Sequence, residues 1–251
     1  MNILAVNIGN SRITWALFRK GMLIETWQEE TSRVEPAARL IAELARTQPV
    51  AICSVVPAAC EILVNHLAGA GVETHLLSTG SQKLISGTYV GLGMDRVANA
   101  VAAWKLFARE APALVVDLGT ATTLSAVSSE GRFMGGLITL GFGKTLAALH
   151  QEAAQLPAIS LEGKSPPASP LAFDTETAIV SGTILAHVGL IEHWLKLARK
   201  QVGGDSVTVA TGGWADTLVR YTRAIEHVDP YLTLKGIYLL CEQEAALAGQ
   251  A

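Results

Sequence analysis

The stretches LAVNIGNSR, residues 4–12, and LVVDLGTATT, residues 114–123, each run a buried apolar strand into a small-residue turn built on one glycine. The first strand ends on Asn7 and the second on Asp117. Strand-like runs follow both turns: RITWALFR (12–19) and GMLIETW (21–27) after the first, TTLSAVS (122–128) and RFMGGLI (132–138) after the second. Lys20-Gly21 separates the first pair and Glu130-Gly131 the second. Apolar runs divided by such punctuation mark tight antiparallel hairpins. Each half of the chain therefore opens with a three-stranded meander.

Helical spacing of apolar residues follows from Glu35 to Arg46, AICSVV (51–56) reads as a buried strand, Pro57 suits the first turn of a helix, and THLLS (74–78) completes the half. The second half repeats the plan, with helices after residue 138, a strand at SVTVA (206–210), a helix after Gly213 and a strand at IEHVD (225–229). The expected fold is α/β and duplicated: two βββαβαβ domains, 1–112 and 113–251, with an interdomain cleft. Such a cleft is where small ligands usually sit, and both glycine turns can point into it. LEGKSPPASP (161–170), rich in Pro and Ser, reads as a mobile surface excursion between two helices.

The 251 residues are 50% hydrophobic, enough for a packed core, and carry a formal net charge of −3 with only 16% charged residues. That balance lacks the basic surface nucleic-acid binders use, so no nucleic-acid partner is expected and small-molecule work is the default. Cys53, Cys60 and Cys241 form no CxxC pair and suggest neither a disulfide framework nor a zinc knuckle. The segment MNILAVNIGNSR resembles neither a signal peptide nor a membrane span, so a cytoplasmic protein without a membrane partner is expected. None of the six histidines shows metal-ligand spacing such as HExxH. GFGKT (141–145) resembles the end of a P-loop, but Ile138 stands where that motif needs its first glycine.

The two turns carry the chemistry. In IGNS and LGTA the glycine lets a ligand approach the backbone, and the small polar residues beside it offer N–H and O–H donors to an anion. Two such turns suit a polyphosphate. Asp117 ends a buried strand, where an uncompensated charge is expensive. Either a bound cation or hydrogen bonds from its own turn, including Thr120, would satisfy it. A third feature is GLGMDRVANAVAAW (91–104): Asp95 and Arg96 begin a helix whose buried stripe includes Val97, Val101 and Trp104. Asp95 could cap that helix, or it could accept a proton from an attacking hydroxyl while Arg96 binds a carboxylate or phosphate.

Taken in order, these motifs resemble the type III pantothenate kinases, of the acetate and sugar kinase/Hsp70/actin superfamily, nearly end to end. NIGNS is similar to the family's DxGNT, SVVP (54–57) to a characteristic stretch, GMDR (93–96) to GxDR, and DLGTATT to DxGTAxT. GGLITLG (135–141) follows GGxIxPG with Leu140 for proline, DTETAIVSG (174–182) follows NTxxAIxSG with Asp174 for Asn, and TGG (211–213) is the glycine turn expected near the nucleotide. The resemblance implies a ribonuclease H-like, actin-like ATPase fold and ATP-dependent phosphorylation of pantothenate, the first step of coenzyme A biosynthesis. It implies Asp95 as general base, with Tyr89, Gly93, Met94, Arg96 and Thr175 as further acceptor contacts. Asn7, Ile8, Gly9, Asn10, Ser11, Arg12, Ile13, Thr14 and Thr120 would contact ATP, which would bring magnesium. Asp117 would hold a monovalent cation, potassium or ammonium, and the enzyme would be a homodimer whose acceptor site borrows residues from the partner chain.

Asn7 departs from the family's aspartate. An amide offers an oxygen to a metal-bound water but no charge, so weaker or displaced magnesium is expected. Two other readings stay open: a non-catalytic relative that binds nucleotide or pantothenate, and a kinase for another small alcohol.

Overall fold

In the computed structural model the chain opens with β1 (Asn2–Ile8), β2 (Arg12–Arg19) and β3 (Met22–Glu30), the expected antiparallel meander. The structure describes residues 1–109, 111–153, 155–161, 169, 171–203 and 205–248. Lys20 (φ 49°) and Gly21 (φ 83°) both adopt left-handed backbone between β2 and β3, as a two-residue type I′ turn requires. Then come α1 (Val34–Leu44), β4 (Val50–Ser54), α2 (Pro57–Gly69) and β5 (Thr74–Leu76). The five strands form one sheet in the order β3-β2-β1-β4-β5, with β4 parallel to both its neighbours.

After α3 (Met94–Ala102), which runs on as a π-helical stretch from Ala103 to Ala108, the plan repeats. Strands β6 (Ala113–Leu118), β7 (Ala121–Val127) and β8 (Phe133–Leu140) are followed by α4 (Phe142–Glu152) and α5 (Thr175–Val202). The chain ends with β9 (Val207–Thr211), α6 (Ala215–Leu218), β10 (His227–Val228) and α7 (Leu232–Ala248). The second sheet is ordered β10-β9-β6-β7-β8. Strand for strand this is the order of the first sheet, so the duplication inferred from the two turns is present in the fold.

The compact units do not follow chain order. One comprises Met1–Glu110, Val127–Phe133 and Tyr231–Ala251; the other comprises Ala111–Ala126 and Met134–Pro230. In the first unit, Leu4, Val6 and Ile8 of β1 share a face with Ile13, Trp15 and Leu17 of β2 and Val50 and Ile52 of β4. That face packs on Ala37, Ala38 and Ile41 of α1 and Ala59, Leu63 and Leu67 of α2. Phe18 of β2 stacks on Tyr238 of α7, ring centroids 4.9 Å apart. The terminal helix α7 is therefore part of the first unit, packed on α3 and β1.

This packing changes the reading of α3. An amphipathic stripe on Val97, Val101 and Trp104 was expected, but Met94 and every residue from Arg96 to Ala102 are buried, while Trp104 is half-buried on the π-helical stretch. A distant segment, α7, covers the face that local periodicity leaves polar. The closest approach is at Gly236, where a Cβ would overlap the carbonyl of Ala98 and lie 2.8 Å from its Cα. Alanine favours a helix interior over glycine by about 1 kcal/mol, but the obstacle here is backbone. Gly236→Ala is expected to lower stability by about 1–3 kcal/mol, read as a fall in the urea midpoint. An unchanged midpoint would place α7 elsewhere.

The second unit's core joins Leu114, Val116 and Leu118 of β6 to Leu124 and Ala126 of β7 and Phe142 and Leu146 of α4. Against them pack Ile184, Val188, Ile191 and Leu195 of α5. The 28-residue α5 is long and apolar enough to cross a bilayer by length and composition, but this stripe packs into the core. The helix expected after Gly213 is a single turn, α6, and the strand expected at 225–229 shrinks to two residues before Asp229-Pro230. Proline cannot donate to a continuing ladder. The LEGKSPPASP segment lies outside the described residues apart from Leu161 and Ser169.

Candidate active site

The β1–β2 turn is closed by the Gly9 N–H, which donates to Arg12 O at 2.9 Å. It is pinned from outside by Thr31, whose hydroxyl donates to Gly9 O at 2.7 Å and whose N–H donates to Ser11 O at 3.1 Å. Ile8 and Ile13 pair across the hairpin with their side chains in the core, so toward a ligand they offer backbone alone. Asn10, Ser11 and Arg12 are exposed. Asn7 stands between Thr14 on β2 and Cys53 on β4, and its Oδ1 is buried without a hydrogen-bond partner. A buried acceptor left unmet costs free energy unless a ligand or water completes it.

In the same unit Asp95 lies close enough to Cys53 of β4 to add to the rise that burial gives the thiol pKa. Val55, just past β4, donates its N–H to Ile8 O at 3.0 Å. A Cβ at position 93 would stand 3.7 Å from Val55 Cγ1 and 2.5 Å from Asp95 Oδ1, so glycine leaves the carboxylate room to fold back over the chain. Gly93, not Asp95, occupies the cap position of α3. Asp95 Oδ1 accepts the Arg96 N–H at 2.8 Å. Burial pushes the Asp95 carboxyl above its ordinary value, against the lowering effect of that hydrogen bond and the Arg96 charge. Burial, then the Asp95 charge, also pushes the Cys53 thiol up.

Arg96 is buried, with 7% of its surface exposed. Its Nη1 donates to Tyr89 Oη at 3.2 Å, and its guanidinium carbon lies 5.8 Å from the centre of the Phe133 ring. Tyr89 is thus in contact with Arg96, which follows Gly93 and Asp95 along the chain. Met94 is buried in the core, so its contribution to a ligand is limited to backbone.

In the second unit the β6–β7 turn is closed by the Gly119 N–H, which donates to Ala121 O at 3.1 Å. Two further glycines crowd it. A Cβ at Gly141 would overlap the backbone of Gly119 and Thr120, and one at Gly212 (φ +94°) would lie 2.5 Å from Leu118 C and 2.6 Å from Asp117 Oδ1. Gly141 donates its N–H to Thr120 O at 3.1 Å and Trp214 donates to Leu118 O at 3.0 Å. Three loops distant in sequence therefore converge on Asp117 and Thr120. Among the described residues no group of three or more His, Cys, Asp or Glu could hold a metal by itself. A carboxylate in a glycine cradle suits an ion whose remaining ligands come from phosphate and water.

Thr175 is the first residue of α5, whose N-cap is Asp174; the Asp174 carboxylate accepts the Thr177 N–H at 2.8 Å and is held below its ordinary pKa by that bond. Aspartate in place of the family's asparagine keeps this cap. Thr175 lines a cavity of about 420 Å³ in the second unit, with Leu149, Leu156, Ala178, Ile179, Gly182 and Thr183.

Sequence reasoning gave no role to Phe133 or Trp214. Phe133 sits in an ordinary strand pattern, and only its long-range partners distinguish it. Trp214 directly follows the TGG turn, and its ring covers Gly143 and packs edge-on against Phe142; its place beside the motif was the available signal.

Residues 3–197 match the family model of the type III pantothenate kinases. A type III pantothenate kinase of Bacillus cytotoxicus is 31% identical over 266 residues, covering 98% of this chain and 97% of that protein. Among solved structures, one assigned to the Baf family of transcriptional activators, from Campylobacter jejuni, has a TM-score of 0.64 at 20% identity and covers 97% of this chain and 99% of its own. A ROK family glucokinase from Streptomyces griseus, solved with glucose and AMPPNP, has a TM-score of 0.55 at 10% identity and covers 96% and 100%. The fold is that of the duplicated ribonuclease H-like, actin-like ATPases.

Proposed function

This chain belongs to the type III pantothenate kinase family, a phosphotransferase family that uses ATP to phosphorylate pantothenate in coenzyme A biosynthesis, and we propose that Asp95 is the base of that reaction here. The observation that carries the assignment is the half-buried Asp95 carboxylate, which lies close to Cys53 beside Asn7 and follows Gly93, where a Cβ would stand 3.7 Å from Val55 Cγ1, the residue whose N–H meets Ile8 O at the entry to the Gly9 turn. Tyr89, Gly93, Met94, Arg96 and Thr175 hold pantothenate. Asn7 to Thr14 and Thr120 hold ATP. The duplicated domains of this proposal are residues 1–112 and 113–251.

Phosphoryl transfer passes through a loose transition state, so alignment and charge neutralisation supply most of the acceleration. Turn N–H groups around Gly9 and Gly119 neutralise phosphoryl oxygens, Arg96 fixes the acceptor, and Asp95 takes the hydroxyl proton as that oxygen becomes acidic late in transfer. Asp117 would hold a monovalent cation, and magnesium would arrive with ATP; both supply positive charge to the phosphates. We further propose a cytoplasmic homodimer.

The experiment is a coupled ADP-release assay with ATP and pantothenate, with and without potassium or ammonium. Pantothenate-dependent turnover that rises with the cation supports the proposal, and turnover indifferent to the cation removes Asp117 as its ligand. The neutral Asn7 favours one rival, a relative that binds without turning over. Ligand binding by folded protein with no turnover would establish that rival. In an active enzyme, Asn7→Asp is expected to lower the magnesium concentration for half-maximal rate by about tenfold, the scale of a residue that acts through a metal-bound water. An unchanged titration would place Asn7 away from the ion.

A further inference from the structure

We infer that Phe133 is a positioning residue for the acceptor: its ring presets the Arg96 guanidinium, so that β8 helps to set affinity for pantothenate. The inference rests on the reading of Asp95 and Arg96 as the acceptor site.

Phe133 is 4% exposed and begins β8, far in sequence from the GMDR motif. Its N–H donates to Ser86 O at 2.8 Å, and the Ser86 N–H donates to Gly131 O at 2.9 Å. The loop leading to Tyr89 is thereby stitched to the β7–β8 connection. Gly87 makes the stitch possible: its φ is +74°, and a Cβ there would lie 2.9 Å from Phe133 O and 3.0 Å from Arg132 Cγ. The Phe133 ring then meets two acceptor-site groups. It lies 6.1 Å from the Tyr89 ring, tilted by 58°, and 5.8 Å from the guanidinium carbon of Arg96.

A cation within about 6 Å of an aromatic ring face is attracted by the ring quadrupole, more strongly when water is excluded. Tyr89 Oη accepts one Arg96 N–H, so two contacts restrain the planar guanidinium. Arginine otherwise loses considerable rotamer freedom on binding, and a side chain already held loses less. The effect therefore belongs to acceptor binding, since neither contact involves the phosphate turns or Asp95. Simple core packing makes a different forecast, in which loss of the ring lowers thermal stability and disturbs both substrates alike.

The test compares Phe133→Leu and Phe133→Tyr with wild type in steady-state assays at varied pantothenate and varied ATP. Phe133→Leu is expected to raise the pantothenate KM about tenfold, with kcat and the ATP KM within about twofold of wild type, and Phe133→Tyr to restore the pantothenate KM. In an Arg96→Lys background the same leucine substitution is expected to add little, because the two side chains act together. Should Phe133→Leu fail to fold, Phe133→Met is read by the same criteria. Equal rises in both KM values, or an unmoved pantothenate KM, would overturn the role of Phe133. Absence of pantothenate-dependent turnover in wild type would instead overturn the kinase reading beneath it.

Discussion

Asp95→Asn is expected to lower kcat by about 10²–10⁴-fold, the usual contribution of a positioned general base, and to leave a folded protein. The side chain keeps its shape and its acceptor oxygen toward the Arg96 N–H, so α3 loses no packing and binding of pantothenate changes little. Stability moves the other way from activity. Burial raises the Asp95 pKa above its unfolded value, so the folded state favours the protonated form. That contribution is present below the unfolded pKa and is lost as pH rises through the folded one. At neutral pH the ionised carboxylate is a liability, and Asp95→Asn is expected to match or exceed the wild-type Tm, with the gap closing in acid. The rate is expected to have the opposite dependence: kcat/KM falls as acid protonates Asp95, with its acid limb moved upward from that of an ordinary aspartate by burial, and that limb disappears in Asp95→Asn. A variant with wild-type kcat, or an unshifted limb, would remove Asp95 as the base.

Gly212→Ala is expected to disable the proposed nucleotide side through the backbone. Its φ of +94° disfavours any L side chain, and the added methyl would meet Leu118 C at 2.5 Å and Asp117 Oδ1 at 2.6 Å. Left-handed backbone and overpacking together cost about 2–4 kcal/mol, a fall in Tm of about 5–15 °C for a chain of this size. Either the substituted backbone or the Asp117 turn must shift, and displacement of a phosphate-binding group by about 1 Å costs roughly 10²-fold in rate. The expected result is a lower Tm with kcat/KM for ATP reduced by about 10–10²-fold. Gly71→Ala is the control: its φ is +68°, but nothing lies within 4 Å of a Cβ there, so it meets the backbone penalty alone. Equal stability losses in the two variants, with ATP kinetics intact, would separate the Gly212 cradle from the nucleotide site.

The duplication was legible because it is written locally. Glycine turns, alternating apolar strands and Pro57 at a helix start each act within a few residues, and β1, β2, α2 and β6 stand within two residues of where the pattern placed them. What stayed hidden depends on contacts between distant segments. Helix α7 completes the first unit and buries the polar-looking face of α3 through Gly236. Phe133 reaches Arg96 only because the β7–β8 connection is stitched to Ser86. Gly212 reads as one more turn glycine until the fold sets it against Asp117. The substitution at Asn7 was visible at once, but its consequence is physical: a buried amide oxygen with no partner at a strand end.

The most direct measurement is the product itself. Protein, ATP, magnesium, potassium and pantothenate are incubated together, and 4′-phosphopantothenate and ADP are quantified by mass spectrometry for wild type and Asp95→Asn. One phosphopantothenate is expected per ADP in the wild type, with Asp95→Asn lower by about 10²–10⁴-fold. Wild-type ADP release without phosphopantothenate, or equal product from Asp95→Asn, would contradict the account.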